Sequence, residues 1–409
     1  METVHERCAG LDVHKDTVVA CVRLAQGRSA RRELRTVATT TSGLLELHDW
    51  LREHEVSHVG MEATGIYWKP VWHLLEDSFT LILANASHIK AVPGRKTDVN
   101  DATWIADLLA HGLIRPSFVP PTPIQELRDL TRARKQLVQE RTRYLQRIQK
   151  VLEDANLKIA SYITDLLGKS GRAVLNALVE GYTSPEVLVS LTSGRLKASR
   201  TELLEALRGR VTKHHRFMLK LHLRQIDQLD SSIEELEAQA RAAIEPFRHC
   251  VEQLKAIPGI SDTAAHVLLA EIGTDMSVFP SAAHLLSWAG MCPRSDESAG
   301  KRRSTRLRHG APWLKATLVQ IAWPATRRKD GYFRALFHRL KARRGPKKAI
   351  VAVAASILTT VYHLLRDGTV YEDLGTGHFD AINRDRAAKS LVRRLQALGF
   401  DVDVRPAAA

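Results

Sequence analysis

Residues 8–23 read CAGLDVHKDTVVACVR. Two short runs rich in β-formers, Cys8 to Val13 and Thr17 to Val22, flank a turn at His14 to Asp16. Working outward, Arg32 to Val37 predicts a third strand. From Thr41 to His54 the residues Leu44, Leu45, Leu47 and Leu51 recur at helical spacing. Val56 to Met61 reads as a strand ending just before Glu62. Ile66 to Leu75 reads as a helix, Phe79 to Leu83 as a strand, and Asp98 to His111 as a helix with Ile105, Leu108 and Leu109 on one face.

Three strands followed by alternating helices and strands is the order of an RNase H-like (RuvC-like) α/β sheet. Such a sheet gathers ligands at strand ends, and acids stand there. Asp12 lies at the end of the first predicted strand and Glu62 follows the fourth. Asp98 and Asp101 lie three residues apart near a helix start, where they share a face and the helix N-terminus tolerates negative charge. Each acid alone reads more readily as a cap or turn residue. Together they read as an oxygen ligand set for metal-assisted phosphodiester chemistry. Asp16 and Asp107 are also available. Asp12 is preferred to Asp16 because it follows Gly10 and Leu11 within the strand.

Pro116, Pro120, Pro121 and Pro123 mark a boundary. Beyond it, Ile124 to Ile159 predicts a long helix with near-heptad apolar spacing that Arg134 and Arg141 interrupt. Val211 to Ala243 predicts another, with Leu219, Ile226, Leu229, Ile233, Leu236 and Ala240 in register. The pair reads as an antiparallel hairpin or a dimerising coiled coil, against ordinary two-helix packing within one subunit. LKAIPGISDTAAHVLLAEIG, residues 254–273, has the form of a helix-hairpin-helix whose Pro-Gly turn can offer N–H groups to a phosphate, against a simple helical turn. A Gly- and Arg-rich loop follows, then helices over Ala311 to Ala322 and Ala349 to Leu365. The apolar stretch Ala349 to Val361 is too short to span a bilayer. From Gly368 onward the tail carries no readable pattern.

Lys and Arg number 60 against 45 Asp and Glu, and the surplus of +15 points to a polyanionic partner. Cys8, Cys21, Cys250 and Cys292 form no CxxC pair, which argues against zinc ribbons and redox motifs and fits a reducing cytoplasm. METVHERCAG lacks the apolar core of a signal peptide.

The loop in WAGMCPRSDESAGKRRSTRLRHGAPWLKATLVQ, residues 288–320, places Ser298 before a basic run of Lys301, Arg302, Arg303, Arg306 and Arg308. Cations there can hold a phosphate, or simply face solvent. By spacing alone Ser298 is an ordinary loop serine, with Ser295 and Ser304 equal contenders.

GLDVHKD, GMEATGIYW, KTDVNDA, IPGI and MCPRSDESAGKRRSTRLRHGAPWLKATL, in this order, resemble the DEDD transposases of the IS110 insertion-sequence family, its IS-eleven-eleven branch included. The likeness spans about residues 8–365. It implies a RuvC-like nuclease domain (1–120), a coiled-coil region (121–248), a mostly helical C-terminal transposase domain (249–370) and a tail (371–409). The four acids of the resemblance fall on Asp12, Glu62, Asp98 and Asp101, with Mg2+ as cofactor. Its serine falls on Ser298, in a Ser-Ala-Gly context where other members have Ser-Gly. It further implies a phosphoserine link to DNA, donor and target DNA, a structured bridge RNA, and a homo-oligomer, dimer or tetramer, with no membrane. The rival expectations are a RuvC-like junction nuclease using metal-activated water, and a non-catalytic nucleic-acid-binding protein.

Overall fold

The computed structural model describes all residues except 1, 27–28, 64, 86–88, 90–99, 194–197, 294–295, 299–300, 305, 309, 383 and 403–409; for 296–298, 301–304, 380, 382, 384–387 and 390 it describes the backbone alone. The chain divides into two units, Met1–Val119 and Pro120–Ala409. Together they make an α/β plus α layout.

The first unit carries a five-stranded mixed sheet of order β3-β2-β1-β4-β5. Its strands are β1 (Arg7–Val13), β2 (Thr17–Gln26), β3 (Ser29–Ala38), β4 (His58–Glu62) and β5 (Thr80–Ala84). β1–β2 and β2–β3 are antiparallel, whereas β1–β4 and β4–β5 are parallel. Side chains alternate along a strand, so β1 serves two layers. Ala9, Leu11 and Val13 join the main core beneath α1 (Thr41–Glu53) and α2 (Trp68–Leu75). Cys8 and Gly10 face α3 (Asp101–Ala110) on the opposite side. Thr40 caps α1 by accepting the Gly43 N–H at 3.3 Å.

Several boundaries differ from the sequence expectation: β2 runs on to Gln26, β3 begins at Ser29, β4 at His58 and α2 at Trp68. Glu62 is the last residue of β4, since pairing with Ala84 extends the ladder by one residue. Helix α3 starts at Asp101, because the Asn100 side chain accepts the Ala102 N–H and caps it there. Asp98 lies outside the described residues.

The second unit is built on two long helices, α4 (Thr122–Asp154) and α8 (Lys213–Ile244). They run antiparallel: Arg134 pairs with Glu237 at 2.7 Å, Arg141 with Asp230, and His215 with Asp154 at 2.8 Å. The arginines that break the heptad seam are thus the charged rungs between the helices. α4 stops at Asp154 rather than Ile159 because Asn156 takes a left-handed conformation, φ 56°, which suits Asn after a helix end. Between the long helices, α5 (Lys169–Glu180), α6 (Pro185–Ser190) and α7 (Arg200–Ala206) bury Val174, Leu178, Leu188 and Leu203 against their far ends.

The C-terminal part holds α9 (Arg248–Lys255), α10 (Asp262–Ile272), α11 (Ala282–Trp288), α12 (Pro312–Ala325), α13 (Tyr332–Arg344) and α14 (Pro346–Asp367). α14 is long and apolar enough to cross a membrane, yet half of its apolar window is buried in this unit. Val353, Ile357, Val361 and Tyr362 form the core there. The unpatterned tail is helical over α15 (His378–Ile382) and α16 (Arg384–Ala397). Asp373 accepts the Tyr332 N–H at 2.8 Å, and Tyr332 stacks on Phe379. These contacts join residues some forty positions apart, beyond the reach of a local pattern.

Candidate functional site

Two parallel strands deliver the first two acids to one place. β1 and β4 pair with Gly10 opposite Gly60 and Leu11 opposite Met61, which sets Asp12 beside Glu62 at the ends of neighbouring strands. By the two-residue period, Asp12 and Glu62 share the sheet face of Gly10 and Gly60.

The third acid arrives on a helix. A Cβ on Gly10 would lie 2.2 Å from Ala102 O and 2.4 Å from Ala106 N, so α3 rests its backbone directly on β1. Ala106 meets Cys8, and Ala110 O accepts the N–H of Val4 at 2.8 Å. α3 therefore runs against the direction of β1, and its first residue, Asp101, stands toward the strand end that carries Asp12. At Gly60 the approach is softer: a Cβ there would meet Ile105 Cγ2 at 3.2 Å and Leu109 Cδ2 at 3.3 Å.

Asp12 Oδ2 lies 3.2 Å from His14 Nε2, a partner that the sequence reading placed only in a turn. Among the described residues no three His, Cys, Asp or Glu side chains converge closely enough to hold a metal ion. The donor chemistry nevertheless fits a hard divalent ion: the strand ends bring the carboxylates of Asp12 and Glu62 together, with His14 against Asp12, and Asp101 stands toward them on α3. Asp107 belongs elsewhere, to a pair of arginines, with its Oδ1 3.0 Å from Arg23 Nε and 2.9 Å from Arg32 Nη2. Burial pushes the Cys8 thiol up to about 12, which keeps it neutral and structural.

In the second unit, the segment read as a loop forms a two-stranded antiparallel hairpin, β6 (Asp296–Ser298) and β7 (Lys301–Ser304). Ser298 pairs with Lys301, Glu297 with Arg302 and Asp296 with Ser304, with an irregularity between Asp296 and Glu297. A further bridge joins Pro293 to Leu307. Both arms spring from a close backbone contact: a Cβ on Gly290 would meet Arg308 O at 2.9 Å, and one on Gly310 would meet Ala289 O at 2.5 Å. That foot forces the intervening polar residues to run side by side, which explains a ladder where no periodicity predicts one. Ser298 is thereby placed at the end of a strand next to the tip. Ser304 lies at the far end of β7, and Ser295 lies outside the described residues. Arg306 and Arg308 are exposed; the side chains of Lys301, Arg302 and Arg303 are not among those described.

Elsewhere in the second unit, Glu271 is 1% exposed and accepts a two-pronged bond from Arg132, at 2.8 and 2.9 Å. Arg128 donates to Ala270 O and Glu271 O at the end of α10. Arg132 and Lys135 lie over the Trp313 ring that opens α12. The Pro-Gly turn between α9 and α10 has Gly259 at φ 90°, and a Cβ there would meet Ile321 O at 2.5 Å. Its glycine therefore packs on α12. A cavity of about 460 Å3 beside the turn is lined in part by Arg134, Lys135, Ser261, Thr263 and Gln320.

Residues 9–157 match the IS110 DEDD family described as "Transposase", and residues 251–338 match the "Transposase IS116/IS110/IS902 family". The chain belongs to the IS110 family of transposases. The first match contains Asp12, Glu62, Asp98 and Asp101, and the second contains Ser298 and the basic run.

The transposase is 28% identical to the insertion element IS110 uncharacterized 43.6 kDa protein of Streptomyces coelicolor, over 68% of this chain and 73% of that protein. It is 27% identical to the insertion element IS900 uncharacterized 42 kDa protein of Mycobacterium paratuberculosis, over 72% of this chain and 81% of that one. It is 24% identical to the pilin gene-inverting protein of Moraxella bovis, over 89% of this chain and 97% of that protein. For this transposase the family implies a DNA substrate and a DNA-cleaving recombinase activity.

Proposed function

We propose that this transposase is a site-specific recombinase that excises and inserts an insertion sequence through a phosphoserine intermediate. In this reading residues 1–120 are a RuvC-like, RNase H-like domain, 121–248 a coiled-coil region, 249–370 the C-terminal transposase domain and 371–409 a tail. The strand order β3-β2-β1-β4-β5 supports the first assignment. One observation carries the reading: two acids, each two residues after a glycine, stand at the ends of adjacent parallel strands, and a helix pressed onto the first glycine brings Asp101 toward them.

Asp12, Glu62, Asp98 and Asp101 would hold divalent metal, Mg2+ by their all-oxygen chemistry. Bound metal supplies Lewis-acid stabilisation of the charge that develops on phosphate oxygens. Ser298 attacks the phosphorus: its Oγ–P bond forms as the P–O bond to the departing strand breaks, and the hydroxyl proton passes to water. The new ester keeps the phosphodiester's bond energy, so an incoming strand hydroxyl can reverse the exchange and rejoin DNA. Lys301, Arg302, Arg303, Arg306 and Arg308 grip backbone phosphates beside it. The Ser261 turn and its basic cavity offer a second phosphate contact. The surplus of +15 suits donor DNA, target DNA and a structured bridge RNA together, and the reading takes the working form to be a dimer or tetramer. The inversion reaction named in the Moraxella relative agrees with strand exchange rather than simple cutting.

The test is covalent capture. Wild type mixed with its element-end DNA and the adjoining non-coding RNA should yield a denaturation-resistant DNA–protein adduct, and Ser298→Ala should yield none. Cleavage without an adduct would favour a junction nuclease using metal-activated water. Binding with no processing in either protein would favour a non-catalytic nucleic-acid-binding protein. Adducts persisting in Ser298→Ala would overturn the nucleophile.

A further inference from the structure

We propose that Arg23, Arg32 and Asp107 are positioning residues for the acid corner: they lock the register of α3 on the sheet and so set where Asp101 stands relative to Asp12 and Glu62. The inference rests on the metal-site reading above.

The sheet register makes the case. Cys8 pairs with Arg23, and Arg23 pairs with Arg32, so two arginines stand directly opposite each other on adjacent strands. Like charges in that arrangement repel. Arg23 is 6% exposed, and among the described residues its Nη1 has no hydrogen-bond partner, so its charge depends on what α3 presents to it. α3 presents Asp107. Its Oδ1 takes bonds from Arg23 Nε at 3.0 Å and Arg32 Nη2 at 2.9 Å, and Oδ2 lies 3.2 Å from the same Arg32 nitrogen.

One row further along the sheet, Gly10 pairs with Cys21 and takes the backbone of Ala102 and Ala106. The next row holds Asp12 opposite Val19. Charge and steric fit therefore act on the same helix at two successive rows, and the acid row comes third. A slip of α3 by one turn moves it about 5.4 Å. That would part Asp107 from both guanidinium groups and carry Asp101 off the strand ends together. Asp101 and Asp107 are six residues apart on one rigid helix, so holding the second holds the first. The glycine alone permits close approach at many offsets; the ion triad selects one.

The experiment uses the full chain without DNA and Mn2+ as the probe, with binding followed by electron paramagnetic resonance and folding by circular dichroism. Asp12→Asn establishes whether the bound Mn2+ belongs to the acid corner. Arg32→Gln removes the exposed arm of the triad and should keep the fold while weakening that Mn2+ binding about tenfold, with Arg32→Lys restoring most of it. Asp107→Asn should weaken it more; if that variant fails to fold, Arg32→Gln still decides. Wild-type Mn2+ affinity in Arg32→Gln, with only a lower melting temperature, would make the triad merely structural and overturn the inference. Mn2+ binding indifferent to Asp12→Asn would instead overturn the metal-site reading, and the inference with it.

Discussion

Asp12 and Glu62 sit on strands with a neighbour on both sides, beneath a helix whose backbone rests on the first of them at Gly10. Ser298 sits on a three-residue strand with one partner, joined to its unit through a foot where the backbones at Ala289, Gly290, Arg308 and Gly310 touch. Both regions use glycine to bring chain segments closer than any side chain allows. In the first, the contact is one of many that fix the acids. In the second, much depends on that foot. The acid pair is therefore braced by sheet and helix, whereas the hairpin is a two-stranded ladder with no third strand beside it among the described residues.

The largest effect should come from breaking that foot. In Gly310→Val the new Cβ falls 2.5 Å from Ala289 O. Misplacing a reacting group by about 1 Å costs about 10²-fold, so adduct yield should fall by at least that much, with Mn2+ binding at the acid corner unchanged. Unchanged adduct yield would mean that the hairpin is held from elsewhere. Next comes Glu271→Gln, which replaces the buried carboxylate by a neutral group and leaves the half-buried Arg132 without its counter-charge. Urea unfolding should show a loss of about 1–3 kcal/mol in the second unit's transition. A loss below about 1 kcal/mol would mean that water already relieves that pair.

These two effects show why legibility from sequence was uneven. The β1 run, the heptads and the Gly-x-acid spacing of Asp12 and Glu62 repeat over a few residues and can be read locally. Arg23 and Asp107 are 84 positions apart, and nothing in either neighbourhood names the other. Glu271 looks like an exposed helix acid until α4 covers it. The hairpin ladder has no period because its cause is the foot, not its own residues. Leu391 and Leu395 of α16 are exposed, so the tail helix lacks the buried stripe by which helices are recognised.

Smaller changes sharpen the contrast within the sheet unit. Gly10→Ala meets helix backbone and should lower stability far more than Gly60→Ala, which meets side chains alone and should cost about 1–3 kcal/mol by calorimetry. Equal losses would deny that α3 is seated on Gly10. Thr40→Ala should cost about 1 kcal/mol as the α1 cap is lost.

The smallest effect expected is with pH. Burial holds the His222 and His266 imidazoles of the helical unit below their ordinary value, and His58 of the sheet unit likewise. The unfolded chain takes up these protons first, near pH about 6.5. Stability is thus full above that value and is lost as pH falls through the window down to the lowered folded values. The urea midpoint should be lower at pH 5.5 than at pH 7.5, and His222→Gln should flatten the slope in the helical unit. Identical midpoints would contradict the burial of these rings.

The long antiparallel pair has a further consequence. At about 1.5 Å per residue, the 33 residues of α4 span about 50 Å, and α8 returns nearly the same distance. The polypeptide thus leaves the C-terminal core and comes back to it, so the outer cluster around Val174 and Leu188 is mounted on a spacer whose length is independent of the core's own packing. Removing equal whole heptads from both helices would shorten the reach while leaving both ends intact, so evolution or a designer can adjust that span without rebuilding either terminus of the arm.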